Sequence, residues 1–126
     1  MSCLFQSLQV FLHIEHNQIR QNICDYLEQN KPIIDGISTD DLLAIQDNQN
    51  PNQDQNNNYV ANMRLLSTMG GAIEILAACN IWNLKIIVIN IRDKNSRDIE
   101  FLPIHNNIQQ QICLTWNGGH YEAYKQ

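Results

Sequence analysis

The chain has 126 residues, 44% of them apolar, which is enough for one compact domain to bury a core. Asp and Glu outnumber Lys and Arg by 13 to 8, and the basic residues are scattered from Arg20 to Lys125; this argues against a nucleic-acid or anionic-membrane surface. No apolar run approaches the roughly 20 residues that span a bilayer, and the segment after Met1 lacks the basic start of a signal peptide, so the chain reads as cytoplasmic, with free thiols.

From Cys3 to Leu27 the apolar residues Leu4, Phe5, Leu8, Phe11, Leu12, Ile19, Ile23, Tyr26 and Leu27 recur at steps of three and four, the period of a helix. The spacing predicts a break near His13 to His16, an N-cap at Asn17, and an end around Asn30, before Pro32. Ser38 to Ile45 predicts a short helix with Ser38 or Thr39 as cap and Asp40 and Asp41 at its positive end. Asp47 to Asn58 is almost entirely Asn, Gln, Asp and Pro. Such a stretch buries too little to offset its ordering and reads as a surface loop (47–58) inside a single 1–126 domain. Tyr59 to Thr68 then predicts another helix, closed off by Gly70 and Gly71.

Ala72 to Asn80 is rich in small and branched apolar residues suited to a helix packed on a sheet. Lys85 to Ile91, nearly continuous Ile and Val, predicts a central strand covered on both faces. Polar Asp93 to Asp98 predicts a turn into a strand at Ile99 to Leu102. Ile112 to Trp116 predicts a further strand, and Asn117, Gly118 and Gly119 turn the chain into His120, Tyr121 and Glu122. Helices first and strands later give an α+β class, with N-terminal helices on a small mixed or antiparallel sheet.

Four cysteines, Cys3, Cys24, Cys79 and Cys113, are far apart, with no CxxC pair and no Cys/His spacing that holds zinc. No metal and no cofactor are expected. A thiol protease needs a thiolate, a base and a group that orients the base, assembled from distant parts of the chain. Cys3 precedes an apolar helix whose positive end favours thiolate. His120 follows a glycine turn, and Glu122 falls on the same side of an extended chain as His120. Each has a plainer reading: a small buried hydrophobe for Cys3, an exposed inert imidazole for His120, a surface charge for Glu122. His13, His16 and His105 read as surface residues, and Cys24, Cys79 and Cys113 as core.

Several stretches in one order resemble the OTU (ovarian tumour) cysteine proteases. Cys3-Leu4-Phe5 running through Leu8 resembles the start of the catalytic helix, and His16 to Asn30 the helix after it. Gly70-Gly71-Ala72-Ile73-Glu74-Ile75 with Ala77-Ala78 resembles the family's Trp-Gly-Gly segment, with Met69 at the Trp position. Lys85 to Asn90 resembles the central strand, and Leu114-Thr115-Trp116-Asn117-Gly118-Gly119-His120-Tyr121-Glu122 the histidine strand. The resemblance covers nearly the whole chain. It implies a deubiquitinase that cuts the isopeptide bond after ubiquitin's C-terminal glycine, with ubiquitin or polyubiquitin as partner. Cys3 would be the nucleophile, His120 the base and acid, and Glu122 the orienter where the family usually has Asp or Asn. Gly70 and Gly71 would serve a tight turn, and Glu74 a bond near the site.

The family carries Asp-Gly-Asn or a close variant before its cysteine, forming a loop that donates N–H groups to the oxyanion. Here only Met1 and Ser2 precede Cys3. The expectation therefore includes a truncated N-terminus. The alternative function is an impaired, ubiquitin-binding interaction module that keeps the fold.

Overall fold

The computed structural model describes residues 3–46, 55–65, 68–93, 95–105 and 107–124; for 3, 43–46 and 55–58 it describes the backbone but not the side chain. Helices α1 (Cys3–Leu12) and α2 (His16–Glu28) form an adjacent pair. Their helical-period residues Leu4, Phe5, Leu8, Ile19, Ile23 and Leu27 are all buried. Removing each from water is worth about 1.5–3 kcal/mol, which is what holds two otherwise unexceptional helices together. The break falls where expected, but its chemistry differs. His13 takes a left-handed φ of 57°, and the α2 cap is Glu15, whose Oε2 accepts from the Gln18 N–H at 3.1 Å, not Asn17.

After α2 a hairpin of β1 (Pro32–Ile34) and β2 (Ile37–Ser38) turns over Asp35 and Gly36. Gly36 has φ 82°, a conformation glycine adopts without penalty. This hairpin was not anticipated, although an Asp-Gly step between isoleucines is its usual signal. Helix α3 (Thr39–Gln46) follows. Its cap is Ser38, whose Oγ accepts from Asp41 N–H, while Thr39 Oγ1 donates to the Lys31 carbonyl at 2.8 Å.

Of the polar stretch 47–58, residues 47–54 lie outside the described residues. Residues 55–58 already belong to α4 (Gln55–Met63), so the helix begins four residues before Tyr59 and ends five before Thr68. Val60 and Met63 are its buried contacts. Helix α5 (Ala72–Trp82) ends on Asn83, whose left-handed φ of 56° reverses the chain into β3 (Leu84–Asn90).

β3, β4 (Ile99–Phe101), β5 (Gln110–Trp116) and β6 (Tyr121–Ala123) form one sheet in the order β4-β3-β5-β6. β3 and β5 run parallel, from Leu84 opposite Gln110 to Asn90 opposite Trp116, and both outer pairs are antiparallel. The sheet is therefore mixed, as expected, and β3 lies inside it. Its burial alternates, however: Leu84, Ile86 and Val88 are buried, while Lys85, Ile87 and Ile89 are half-exposed. One face meets α5 and the core, and the other is only partly covered. Within the described residues, no helix is long and apolar enough to cross a membrane.

Candidate active site

Helix α1 packs on the edge strand β6, and this contact joins the two ends of the chain. Ser7, buried one turn after Cys3, donates from Oγ to the Tyr121 carbonyl at 3.1 Å. Tyr121 points toward the core and is half-buried, which by the alternation of a strand sends His120 and Glu122 to the other side. Both are exposed, and both line one shallow cleft of about 280 Å³ with Gln6, Ser7, Val10, Tyr121 and Ala123. Cys3 starts the same helix, one turn before Gln6 and Ser7. The Cys3 side chain lies outside the described ones. A larger groove of about 550 Å³, around Tyr26, Lys31, Asp35, Asn80 and His105, contains none of the three candidates.

The turn that carries His120 is built by Asn117. Its Oδ1 accepts from the N–H groups of Gly119 at 3.0 Å and His120 at 2.8 Å, and its own N–H donates to the His120 carbonyl. Gly118 has φ 100°, so a glycine is needed there. The imidazole is thus held on a short, hydrogen-bonded turn at the end of β5. Within the described residues, no hydrogen bond joins His120 to Glu122.

The start of α1 is fixed from behind by residues that sequence reasoning gave other roles. A Cβ built on Gly70 would lie 2.7 Å from Leu4 Cδ2 and 3.1 Å from Phe5 Cζ. Gly70 is therefore bare so that the chain can press against the first turn of α1, rather than for turn conformation. Arg20, counted in the sequence among the scattered basic residues and placed in the second helix, is fully buried. Its guanidinium lies 4.3 Å from the centre of the Phe5 ring and donates to the carbonyls of Met63 at 2.5 Å and Thr68 at 2.8 Å. This ties α1, α2 and the chain after α4 into one unit. Helical periodicity gave the only hint, since position 20 shares the buried face with 19, 23 and 27. Met69 is 46% exposed, so it presents its side chain outward rather than packing the site.

Glu74 is also buried. It accepts from the Gly71 N–H at 2.7 Å and from the Tyr59 hydroxyl at 2.6 Å, capping α5. Burial raises its carboxyl above the usual glutamate range, and these bonds oppose the shift. Its place is the first turn of α5. The remaining cysteines divide. Burial pushes the Cys24 thiol up to about 11 and the Cys79 thiol up to about 12, so both stay protonated at neutral pH. Cys113, expected in the core, is only half-buried. Of the surface histidines, His13 and His105 are exposed as expected, while His16 is half-buried beside Glu15, with its Nε2 3.4 Å from Oε1.

The profile of a family described as OTU-like cysteine protease matches residues 2–123. No curated protein matches the sequence. Among solved structures, an ovarian tumour (OTU) domain in complex with ubiquitin superposes at TM-score 0.69 and 19% identity, covering 97% of this chain and 62% of that one. The OTU domain of OTUD1 superposes at 0.68 and 16% identity, over 96% of this chain and 77% of that one. An OTU deubiquitinase from Wolbachia pipientis wMel bound to ubiquitin superposes at 0.63 and 16% identity, over 96% and 87%. At these identities the likeness is one of fold, and the chain spans less than two thirds of the first structure's length.

Proposed function

The chain belongs to the OTU-like cysteine protease family, and from that membership we propose that it is a cysteine-type deubiquitinase cutting the isopeptide bond after ubiquitin's C-terminal glycine. Two of the solved neighbours are bound to ubiquitin, which supports that partner. The observation that carries the reading is the strap between α1 and β6: Ser7 Oγ on the Tyr121 carbonyl holds the helix that begins at Cys3 against the strand flanked by His120.

In this reading His120 takes the proton of Cys3, and the thiolate attacks the isopeptide carbonyl carbon, pushing its electron pair onto oxygen. Collapse of that intermediate breaks the carbon–nitrogen bond, and His120 returns the proton to the departing lysine amine. Water then attacks the thioester with His120 as base, releasing the ubiquitin carboxylate and the thiol. Glu122 accepts the second imidazole N–H and holds the ring's tautomer. The exposure of Glu122 and the lack of a bond to His120 among the described residues leave it to engage once substrate covers the cleft. No cofactor enters these steps. Cytoplasmic residence, where thiols stay reduced, belongs to the same proposal.

The same two observations favour a second reading, an impaired module that binds ubiquitin without cutting it. Isopeptide-linked diubiquitin incubated with the chain and with C3A separates the two. Cleavage by the parent and none by a folded C3A supports the protease. Cleavage retained in C3A contradicts it, and ubiquitin binding without cleavage by either chain establishes the binding module.

A further inference from the structure

The turn that carries His120 contains the chain's single Asn-Gly step, Asn117-Gly118. Three features of its geometry favour attack of the Gly118 backbone nitrogen on the Asn117 side-chain carbon. First, both residues are exposed, and Gly118 has no side chain to shield its N–H from hydroxide. Second, the Gly119 and His120 N–H groups both donate to Asn117 Oδ1, at 3.0 and 2.8 Å. They face the oxygen on which negative charge develops when the carbonyl is attacked, the arrangement that stabilises a tetrahedral intermediate. Third, the Arg92 guanidinium lies against Gly118: a Cβ built there would be 2.8 Å from Arg92 Nη1. A positive charge beside this residue favours the amide anion that must form before attack.

We propose that Asn117 is a spontaneous deamidation site, a modification built into the turn that presents His120. Gly118 N, having lost its proton, forms a bond to Asn117 Cγ, and ammonia leaves with the proton it needs from water. A five-membered succinimide remains. Water then opens it in one of two ways. Breaking the Cγ–N bond leaves an ordinary aspartate that still accepts from Gly119 and His120 and adds a negative charge beside the imidazole. Breaking the main-chain carbonyl–N bond leaves an isoaspartyl linkage, which inserts an extra methylene into the backbone between β5 and β6. The first product preserves the turn. The second moves His120 relative to Glu122 and to α1, so the site loses its geometry with age. The modification itself does not depend on what the cleft cuts.

The test is a time course on the full chain in neutral and mildly alkaline buffer, with peptide mapping for the mass gain of an NH2-to-OH exchange and isoaspartyl methyltransferase labelling of the separated peptides. Asn117 is expected to convert before the exposed Asn95 and Asn107, faster at the higher pH, and more slowly in R92Q than in the parent. Asn117 intact while Asn95 or Asn107 has converted, or an unchanged rate in R92Q, overturns the proposal. Because the readout is mass and not cleavage, its failure is distinct from a failure of the protease reading.

Discussion

Ser7 Oγ donates to the main-chain carbonyl of Tyr121 across 114 residues of sequence, at 3.1 Å. The bond matters because β6 is an edge strand: on one side it pairs with β5, and the packing of α1 is what fixes it otherwise. S7A removes the donor from a buried position and is expected to cost about 1 kcal/mol of stability, read from urea unfolding. If the strap sets the relation of the helix start to His120, cleavage of diubiquitin falls by roughly tenfold to a hundredfold in kcat, with KM little changed. A stability loss with unaltered kcat would show that the bond serves the fold alone.

His120 and Glu122 are expected to differ in weight. H120A removes the group that carries the proton and is predicted to lower the rate by roughly a hundredfold to ten-thousandfold. E122Q keeps the length of the side chain and its acceptor oxygen; with no bond to His120 among the described residues, its loss is expected to stay under about tenfold. Steady-state kinetics on both variants, with circular dichroism to confirm folding, decides the ranking. An E122Q defect equal to that of H120A would mean that the carboxylate is engaged throughout the cycle.

The paired glycines make opposite predictions. G70A drives a Cβ to within 2.7 Å of Leu4 and 3.1 Å of Phe5, both fully buried with nowhere to move, and is expected to cost about 1–3 kcal/mol. G71A meets nothing nearer than Glu74 Oε1 at 3.9 Å, in an extended conformation any residue adopts; it should cost less than about 1 kcal/mol, the cap preference alone. Thermal unfolding of the two variants side by side checks the difference.

Glu74 gives a pH dependence. Burial raises its folded-state pKa above the ordinary glutamate value near 4.5, so the folded state holds its proton more tightly than the unfolded chain does. The stabilisation this supplies is fully present below the unfolded pKa and is lost as pH rises through the folded one. E74Q stays neutral throughout and carries no such slope. The stability advantage of the parent over E74Q is therefore expected to be greatest at acid pH and to shrink as pH climbs above the ordinary carboxylate range, measured by urea titration at a series of pH values. A difference that grows with pH would contradict the raised pKa.

How much of this was legible beforehand depends on whether a residue's neighbours are close in sequence. Leu4, Leu8, Ile19, Ile23 and Leu27 announced α1 and α2 because helical period and core face coincide. The Ile and Val run at 85–91 and the stretch Ile112 to Trp116 announced the interior strands, but not that β3 buries only one face. Arg20 did not announce itself: its partners are Phe5, Met63 and Thr68, brought together only by the fold. Gly70 looked like a turn residue because nothing in sequence says that Leu4 and Phe5 press against it. The start of α4 was hidden since Gln55 to Asn58 are polar on every face, and a helix there draws on its neighbours rather than on its own pattern. His120 and Glu122 could be placed together from the period of two in a strand, but that β6 would lie beside α1 was implied only by family resemblance.

The most direct test of the central claim is incubation of the chain with ubiquitin bearing a C-terminal electrophile, followed by intact mass and peptide mapping. The predicted result is one adduct, on Cys3, lost in C3A and reduced in H120A, with Cys24 and Cys79 unlabelled because burial keeps them as thiols. An adduct on another cysteine, or none on Cys3 in a folded sample, would contradict Cys3 as the ubiquitin-directed nucleophile.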